Sequence, residues 1–197
     1  MQRIGTIIQL QIQRESLKVG ERPNSTYTPE AILAVPRLQL TPSGALGLTD
    51  ADDTLLDVHN SQHPRTRHNG TDNSLSFNVT RHYTLMQQRF GAHITPGCAG
   101  ENILIAFDDR LEIADVERGV VIETAEGEVR LQSIRVAAPC TEFSQFVQQR
   151  PVSGAELKET LQFLGDGMRG FYATLAESPT TIIQAGDLVY AVDESML

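Results

Sequence analysis

Apolar and polar residues alternate along the start of the chain, where Ile4, Thr6, Ile8, Leu10 and Ile12 are separated by mostly polar neighbours. The side chains of a strand point alternately to its two faces, so this repeat of two residues predicts a half-buried β-strand. Later apolar runs are shorter and end at turn-forming residues, which is also typical of strands. These runs predict strands at residues 35–40, 103–107, 111–116, 120–124, 129–136, 171–176 and 188–192.

Two segments instead repeat their apolar residues at the spacing of a helix. The first covers residues 80–90, and either Asn78 or Thr80 is available as its N-cap. The second opens with a capping-box pattern at Ser153 and ends at Gly165. Because helices and strands do not alternate regularly along the chain, a doubly wound parallel sheet is not expected.

Many short strands with two or three peripheral helices predict an all-β or β-rich fold, mainly an antiparallel β-barrel. The chain has 197 residues, of which 40% are hydrophobic and 21% are charged, as in an ordinary soluble globular protein. We therefore expect residues 1–197 to form a single domain.

The overall charge and hydropathy exclude several classes of partner. A formal net charge of −9 repels phosphate backbones, so nucleic acid is not an expected partner. The chain has no apolar run of the roughly 18 residues needed to cross a membrane, and its start lacks the apolar core of a signal peptide. Its two cysteines make no disulfide framework. These features predict a cytoplasmic protein without a membrane partner.

Positive charge is concentrated in residues 59–93, which hold all five histidines and four arginines against a single acid, Asp72. The formal charge of this window is +3, which leaves −12 for the remainder of a chain whose net charge is −9. A basic lobe on an acidic protein can receive a small anion, or it can be a solvated surface. Both interpretations stay open at this point.

Three histidines, His59, His63 and His68, lie close together in the polar segment 49–76. Long irregular segments in compact domains often carry function. The spacing of the first two would suit a zinc ion on a helix, but Pro64 predicts a loop. Surface histidines, or histidines that contact a phosphate, are therefore the preferred interpretation.

The segment TPGCAGENILI, residues 95–105, surrounds Cys98 with small residues and places Glu101 and Asn102 directly before a strand. Glycines let backbone N–H groups approach an anion or a flat ligand closely. An ordinary turn before a strand has the same composition, and it is the preferred interpretation from this segment alone.

The second cysteine, Cys140, follows a predicted strand in VAAPCTEF, where Pro139 ends the strand. Thr141 can cap a short helix that carries Phe143, Phe146 and Val147 on its inner side. A thiol just before a helix N-terminus lies at the positive end of the helix dipole, which favours a thiolate. A free cysteine is among the residues most often buried, so from this segment alone a small buried apolar residue is the preferred interpretation and a thiolate the alternative.

Three segments appear in the order and spacing of the MOSC domain, a family named for the C-terminal part of molybdenum cofactor sulfurases. They are PGCAGENILI at 96–105, VAAPCTEF at 136–143 and MRGFYATLAESPTTIIQAGDLVYAV at 168–192. The earlier segment DVHNSQHPRTRH, at 57–68, resembles the Asp-x-His and basic loop that these domains often carry. The resemblance covers residues 4–193 and points to the short stand-alone bacterial members.

This resemblance implies a β-barrel that binds molybdenum cofactor (molybdopterin), and not pyridoxal phosphate. In related proteins the cysteine that matches Cys140 is the protein ligand of molybdenum, and those proteins reduce N-hydroxylated compounds. Cys140 is therefore the implied metal ligand and catalytic residue. The remaining residues expected to bind the cofactor or its phosphate are Gly100, Glu101, Asn102, Arg65, Arg67, Arg81 and Arg169.

The resemblance allows three functions. The first is an oxidoreductase with a small-molecule substrate; the sequence has no CxxC pair and no dinucleotide-binding glycine motif, so a separate donor protein would supply its electrons. The second is a cofactor or sulfur carrier that uses a persulfide on Cys140 or takes cofactor from a donor protein. The third is a ligand-binding or regulatory barrel that has kept the fold without the chemistry.

Overall fold

A computed structural model of the chain describes residues 1–21, 23–51, 53–66, 72–176 and 180–193. The strands in this part of the chain are β1 (Gln2–Gln13), β2 (Lys18–Val19), β3 (Thr26–Tyr27), β4 (Ile32–Ala34), β5 (Arg37–Thr41), β6 (Gly44–Leu48), β7 (Thr54–Leu56), β8 (Leu75–Val79), β9 (Ile103–Ala106), β10 (Val120–Thr124), β11 (Gly127–Val136), β12 (Phe171–Leu175), β13 (Thr181–Gln184) and β14 (Leu188–Ala191). The helices are α1 (Thr80–Phe90), α2 (Ile113–Val116), α3 (Thr141–Gln148) and α4 (Gly154–Leu164).

Seven strands close into a barrel in the order β14-β10-β11-β12-β8-β9-β1, and β1 pairs back with β14. Neighbouring strands are antiparallel except for β8 and β9, which are parallel and are joined through α1. The predicted β-rich barrel is confirmed. Four helices surround it among the described residues, compared with the two or three that the sequence predicts.

The residues of β1 that face the core are not all those that the apolar–polar alternation predicts. Register shifts interrupt its pairing between Arg3 and Gly5 and between Ile7 and Gln9. A bulge adds a residue and changes which side chains face inward. As a result Ile7 is buried, whereas Ile8, which the alternation predicts to lie on the buried face, is 48% exposed.

The predicted strand over residues 111–116 is wrong, because this segment holds the one-turn helix α2. Glu112 and Asp115 form a reciprocal capping box at its start, and the backbone N–H of Glu112 donates to Asp115 Oδ2 at 2.8 Å. The capping bonds satisfy the first N–H groups of the helix. The apolar residues that suggested a strand, Leu111 and Val116, are still buried.

A second sheet has the order β13-β5-β6-β7, and β2 and β3 form a hairpin. The sequence did not predict β6, because its GALGL composition gives little strand signal. A Cβ at Gly47 would lie 3.0 Å from Val35 Cγ1 and 3.2 Å from Ile12 Cγ2. The glycine therefore lets the two sheets approach each other closely.

The predicted helix ends are confirmed, but the predicted caps are not. Val79 occupies the N-cap of α1, and the Oδ1 atom of Asn78 instead lies 2.7 Å from His82 Nδ1. Ser153 stands at the N-cap of α4, a fully described helix in which its hydroxyl makes no capping bond. Gly91 and Gly165 end these two helices, as predicted.

Buried apolar side chains form two clusters. One fills the barrel and includes Ile7, Phe77 and Phe171. The other lies among the β2–β3 hairpin and helices α1, α3 and α4, and it includes Tyr83 and Phe143. Within the described part of the chain, no helix has both the length and the apolar character needed to cross a membrane. A cleft between the two clusters is the candidate site.

Candidate functional site

The cleft has a volume of about 800 Å³ and is lined by residues of both clusters. One wall comes from the region of the β2–β3 hairpin, namely Ser16, Leu17, Lys18, Gly20, Glu21, Ser25 and Tyr27. The segments that follow β11 and α4 contribute others. Several chemically active side chains meet here from distant parts of the sequence. They are Lys18, Ser25, Tyr27, His59, Arg65, Glu101, Cys140, Glu142, Arg169 and Tyr172.

Cys140 is the N-cap residue of α3. Its backbone is extended, with φ −119° and ψ 164°, and its Sγ accepts the N–H of Phe143 at 3.5 Å. The prediction that Thr141 caps this helix is therefore wrong, because Thr141 is the first helical residue. The sulfur thus takes the place of the usual N-cap oxygen at the start of α3. The thiol is half-buried and lines the cleft.

Glu142 ties the start of α3 to the opposite wall. Its carboxylate accepts the Ser25 hydroxyl at 2.9 Å and lies 3.2 Å from Lys18 Nζ. Partial burial opposes the charged form, but the backbone N–H of Glu142, Ser25 and Lys18 together lower the pKa of this carboxyl to about 2. The side chain is therefore ionised throughout the neutral range, and it holds the hairpin wall beside Cys140.

Arg169 lies beside the start of α3, with its guanidinium 5.2 Å from the centre of the Phe143 ring. Its Nη1 donates to the carbonyl of Ala138 at 3.2 Å. Burial lowers the pKa of Arg169, but its interactions with Tyr172, Tyr27 and Cys140 raise it above the ordinary value. Its Nε is buried and has no hydrogen-bond partner among the described residues. This donor is free to bind a ligand.

Glu101 forms part of the cleft lining although the residue is only 3% exposed. Its carboxyl oxygens both lie 2.7 Å from the hydroxyl of Tyr83, which also accepts the N–H of Ala99 at 3.1 Å. Burial raises the pKa of Glu101 to about 7, although Tyr83, its own backbone N–H and Arg169 act in the opposite direction.

His59 faces the cleft and is oriented from behind by Asp57. Its Nδ1 lies 3.0 Å from Asp57 Oδ1, and the fully buried carboxylate also accepts the N–H of Gln13 at 2.8 Å and Asn102 Nδ2 at 3.0 Å. The buried Asp57 carboxylate therefore fixes the orientation of the His59 ring in the cleft wall.

The structure brings five of the predicted site residues together in the cleft: Gly100, Glu101, Arg65, Cys140 and Arg169. A side chain would not fit at Gly100, which has φ +85° and whose Cβ would lie 2.6 Å from Leu17 Cδ1. Arg65 is at the mouth, highly exposed, and pairs with Glu15 at 2.6 Å.

Two further predicted residues, Asn102 and Arg81, lie outside the cleft lining. Asn102 is buried behind the cleft, where its Oδ1 accepts the Ser76 N–H at 3.0 Å and its amide binds Asp57. Arg81 is in the first turn of α1 and is not in the cleft lining. Arg67 and His68 lie outside the described residues.

Sequence reasoning missed the hairpin wall. Ser25 and Tyr27 lie in a turn-rich segment with no motif, and Ser25 meets Glu142 across 117 positions of sequence. The one local signal was the helix start at Cys140, whose first turn necessarily includes Glu142. The described residues contain no cluster of three His, Cys, Asp or Glu side chains that could hold a metal ion, and His68 lies outside them.

The sequence pattern of the MOSC domain matches residues 64–190 of this chain. The chain belongs to the MOSC domain family. Members of this family are associated with molybdenum cofactor. The MOSC match includes Cys140, Arg169 and the loop of Glu101, and it begins after the Asp57–His59 pair.

Solved structures share this MOSC fold at low sequence identity. The YUAD protein from Bacillus subtilis has a TM-score of 0.54 at 13% identity, over 95% of this chain and 92% of that one. YiiM from Geobacillus stearothermophilus has a TM-score of 0.51 at 14% identity, over 98% of this chain and 75% of that one. YiiM from Escherichia coli has a TM-score of 0.51 at 17% identity, over 82% of this chain and 65% of that one. No curated protein sequence matches the chain.

Proposed function

We propose that the cleft binds molybdenum cofactor with Cys140 as the protein ligand of the metal, and that the protein reduces N-hydroxylated small molecules. The observation that carries this proposal is the position of Cys140. Its sulfur is half-buried at the N-cap of α3, faces a cleft of about 800 Å³ and interacts with the buried guanidinium of Arg169. A thiolate is a good ligand for a soft transition metal.

The residues of the cleft fit an anionic pterin cofactor. Clefts that hold ligands of this size measure about 300–1,000 Å³. The unpartnered Nε of Arg169 provides a buried donor for an anionic or carbonyl oxygen, and Arg65 offers a second guanidinium at the mouth. Gly100 lets its loop pack closely against Leu17 and Gln13, which also line the cleft. Asn102 is not included among the cofactor-binding residues, because its amide binds Asp57. Arg81 is not included either, because it lies on α1 outside the cleft lining.

When bound, molybdenum cofactor supplies two-electron redox chemistry, and the electrons come from a separate donor protein. The chain supplies the binding and the proton-carrying groups. Arg169 and Cys140 would both hold the cofactor, and the ring of His59, oriented by Asp57, lines the same cleft. The Glu142–Lys18 ion pair keeps the hairpin wall closed against α3. Together these side chains would orient a small substrate between the β2–β3 hairpin and the start of α3.

Metal and pterin analysis of the purified protein tests this proposal. After expression in a host that makes the cofactor, the wild-type chain should retain molybdenum and pterin and should reduce N-hydroxylated model compounds with a reduced viologen dye. Cys140→Ala should lose at least about 10²-fold in metal affinity, since even residues that only orient a metal ligand cost that much. Cys98→Ala is the matched control and should retain both, because Cys98 does not line the cleft.

Wild-type protein that contains neither molybdenum nor pterin would contradict the proposal. The carrier function makes a different prediction for the same cysteine. Mass spectrometry would then find a persulfide on Cys140 that depends on a sulfur donor, with cofactor passed to another protein and no reduction of substrate.

A further inference from the structure

Glu101 is a buried acid in the wall of the cleft that cofactor binding leaves without a role. It lies directly after Gly100 in the loop before β9, and its side chain points among Tyr83, Cys98 and Arg169. An isolated buried carboxylate is costly, so evolution rarely keeps one unless it is paired or functional. Here the hydrogen bonds are few: the Tyr83 hydroxyl and its own backbone N–H.

The groups around Glu101 come from four parts of the fold, and at neutral pH they do not titrate. Burial raises the pKa of Tyr83 on α1 and of Tyr27 on β3 well above their ordinary values. It raises the pKa of the Cys98 thiol to about 12. Arg169 remains charged. Glu101, whose pKa burial raises to about 7, is thus the member of this cluster that exchanges a proton near neutrality.

The proposed reaction needs protons inside the cleft. Reduction of a hydroxylamine is R–NHOH + 2H⁺ + 2e⁻ → R–NH₂ + H₂O, so the nitrogen–oxygen bond breaks and two protons are consumed. The electrons come from the separate electron-donor protein. One proton must reach the oxygen so that it leaves as water, because hydroxide is a poor leaving group.

We propose that Glu101 is the proton donor of the cleft, and that its carboxyl group protonates the oxygen that leaves the substrate as water. This inference rests on the proposed function and adds a catalytic residue to it. The second proton and the one that restores Glu101 enter from solvent through the cleft. The carboxylate formed after transfer is stabilised by the Tyr83 hydroxyl and by the nearby guanidinium of Arg169.

Infrared spectroscopy of the chain without cofactor tests the donor directly. The wild-type protein should show a protonated carboxyl band that disappears as the pH rises through about 7. Glu101→Gln should lack this band, whereas Glu128→Gln should keep it, because Glu128 is exposed on β11 and lies outside the cleft lining. A wild-type spectrum with no such band above pH 5 would overturn the proposal.

Turnover of the cofactor-loaded protein is the second test. Glu101→Gln should retain wild-type molybdenum and lose about 10²-fold in kcat, the lower range for a general acid. Tyr83→Phe removes a hydrogen bond that lowers the pKa of Glu101, so the fall in activity at high pH should move to higher pH. A purely structural role would not move this profile.

The two proposals fail in different ways. Loss of molybdenum from Glu101→Gln, or unchanged kcat in that variant, would overturn the role of Glu101 while leaving reduction by the wild type intact. Failure of the wild type itself to reduce N-hydroxylated compounds would overturn the proposed function, and the proton-donor role with it.

Discussion

Each of the two cysteines has a glutamate close behind it, and the two pairs have opposite chemistry. Cys98 and Glu101 are both buried; the pKa of the thiol rises to about 12 and that of the carboxyl to about 7. Cys140 is half-buried at a helix N-cap, and the pKa of Glu142 falls to about 2. The first pair holds protons, whereas the carboxyl of the second is held ionised.

The local sequence does not explain the opposite pKa shifts, because both cysteines follow a proline and small residues. The three-dimensional surroundings of each pair cause them. Desolvation dominates around Cys98, whose carbonyl accepts the Tyr27 hydroxyl at 2.7 Å. Around Glu142 the hydrogen bonds from the backbone N–H, Ser25 and Lys18 together exceed the desolvation. Glu101 of the first pair and both members of the second pair nevertheless line the same cleft, whereas Cys98 lies behind it.

The largest expected contrast is in alkylation of the two thiols. In the cofactor-free protein at pH 8, we expect iodoacetamide to modify Cys98 at least about 10³-fold more slowly than Cys140, because a thiol of pKa about 12 is scarcely ionised there. Mass spectrometry of the peptides measures both rates, with urea-unfolded protein as the control. Similar rates in the native protein would break the comparison.

The next effect is on the pH dependence of stability through Glu101. A carboxyl whose pKa is raised in the folded state gives stability that is complete below its unfolded value near 4.5 and is lost as the pH rises through about 7. The free energy of unfolding should therefore fall by about 2–3 kcal/mol between pH 5 and pH 8. Urea unfolding of Glu101→Gln should show this fall removed, and parallel curves for the two proteins would contradict it.

Glu142 should act in the opposite pH range. Its pKa is lowered in the folded state, so its contribution is present above about 4.5 and is lost as the pH falls through about 2. With solvent screening of this partly exposed pair, we expect the loss to be about 1–2 kcal/mol. Acid unfolding of the wild type and Glu142→Gln should converge at low pH; a constant difference between them would count against the assignment.

Serine substitution separates the two cysteines, and the smallest effect of all is expected at Cys140. Cys98→Ser places a hydroxyl in an apolar cluster and should lower the free energy of unfolding by about 1–3 kcal/mol. Cys140→Ser should change it by no more than about 0.5 kcal/mol, since serine is a good N-cap. Equal losses in urea unfolding would show that the two sites do not differ in packing.

The barrel was predictable because most of its strands carry their own apolar pattern. The elements that were missed or misassigned depend on contacts that no local pattern contains. One example is β6, whose glycine permits close packing against Val35, and another is α2, which a reciprocal cap at Glu112 converts from an apparent strand.

Prediction of the site followed the same division. Cys140, Glu101 and Arg169 were found through motifs, and the structure brings them to one cleft. Ser25 and Tyr27 were not found, because they enter the site through pairing of the β2–β3 hairpin and packing against α3. Asn102 was predicted to bind the cofactor, but the structure places it behind the cleft, where its amide binds Asp57 and Gln11.

The pairing of β1 with β14 joins Gln2 to Ala191 and closes the barrel. During synthesis on the ribosome, this edge of β1 therefore stays uncovered until β14 has been made. Until then β1 and β10 each have an unpaired edge, which is the usual route to association with other chains. Cys140 is made well before that closure, so its thiol is exposed on the growing chain while the walls of the cleft are still incomplete. The order of the strands therefore makes β14 the element that completes the barrel beside the cleft.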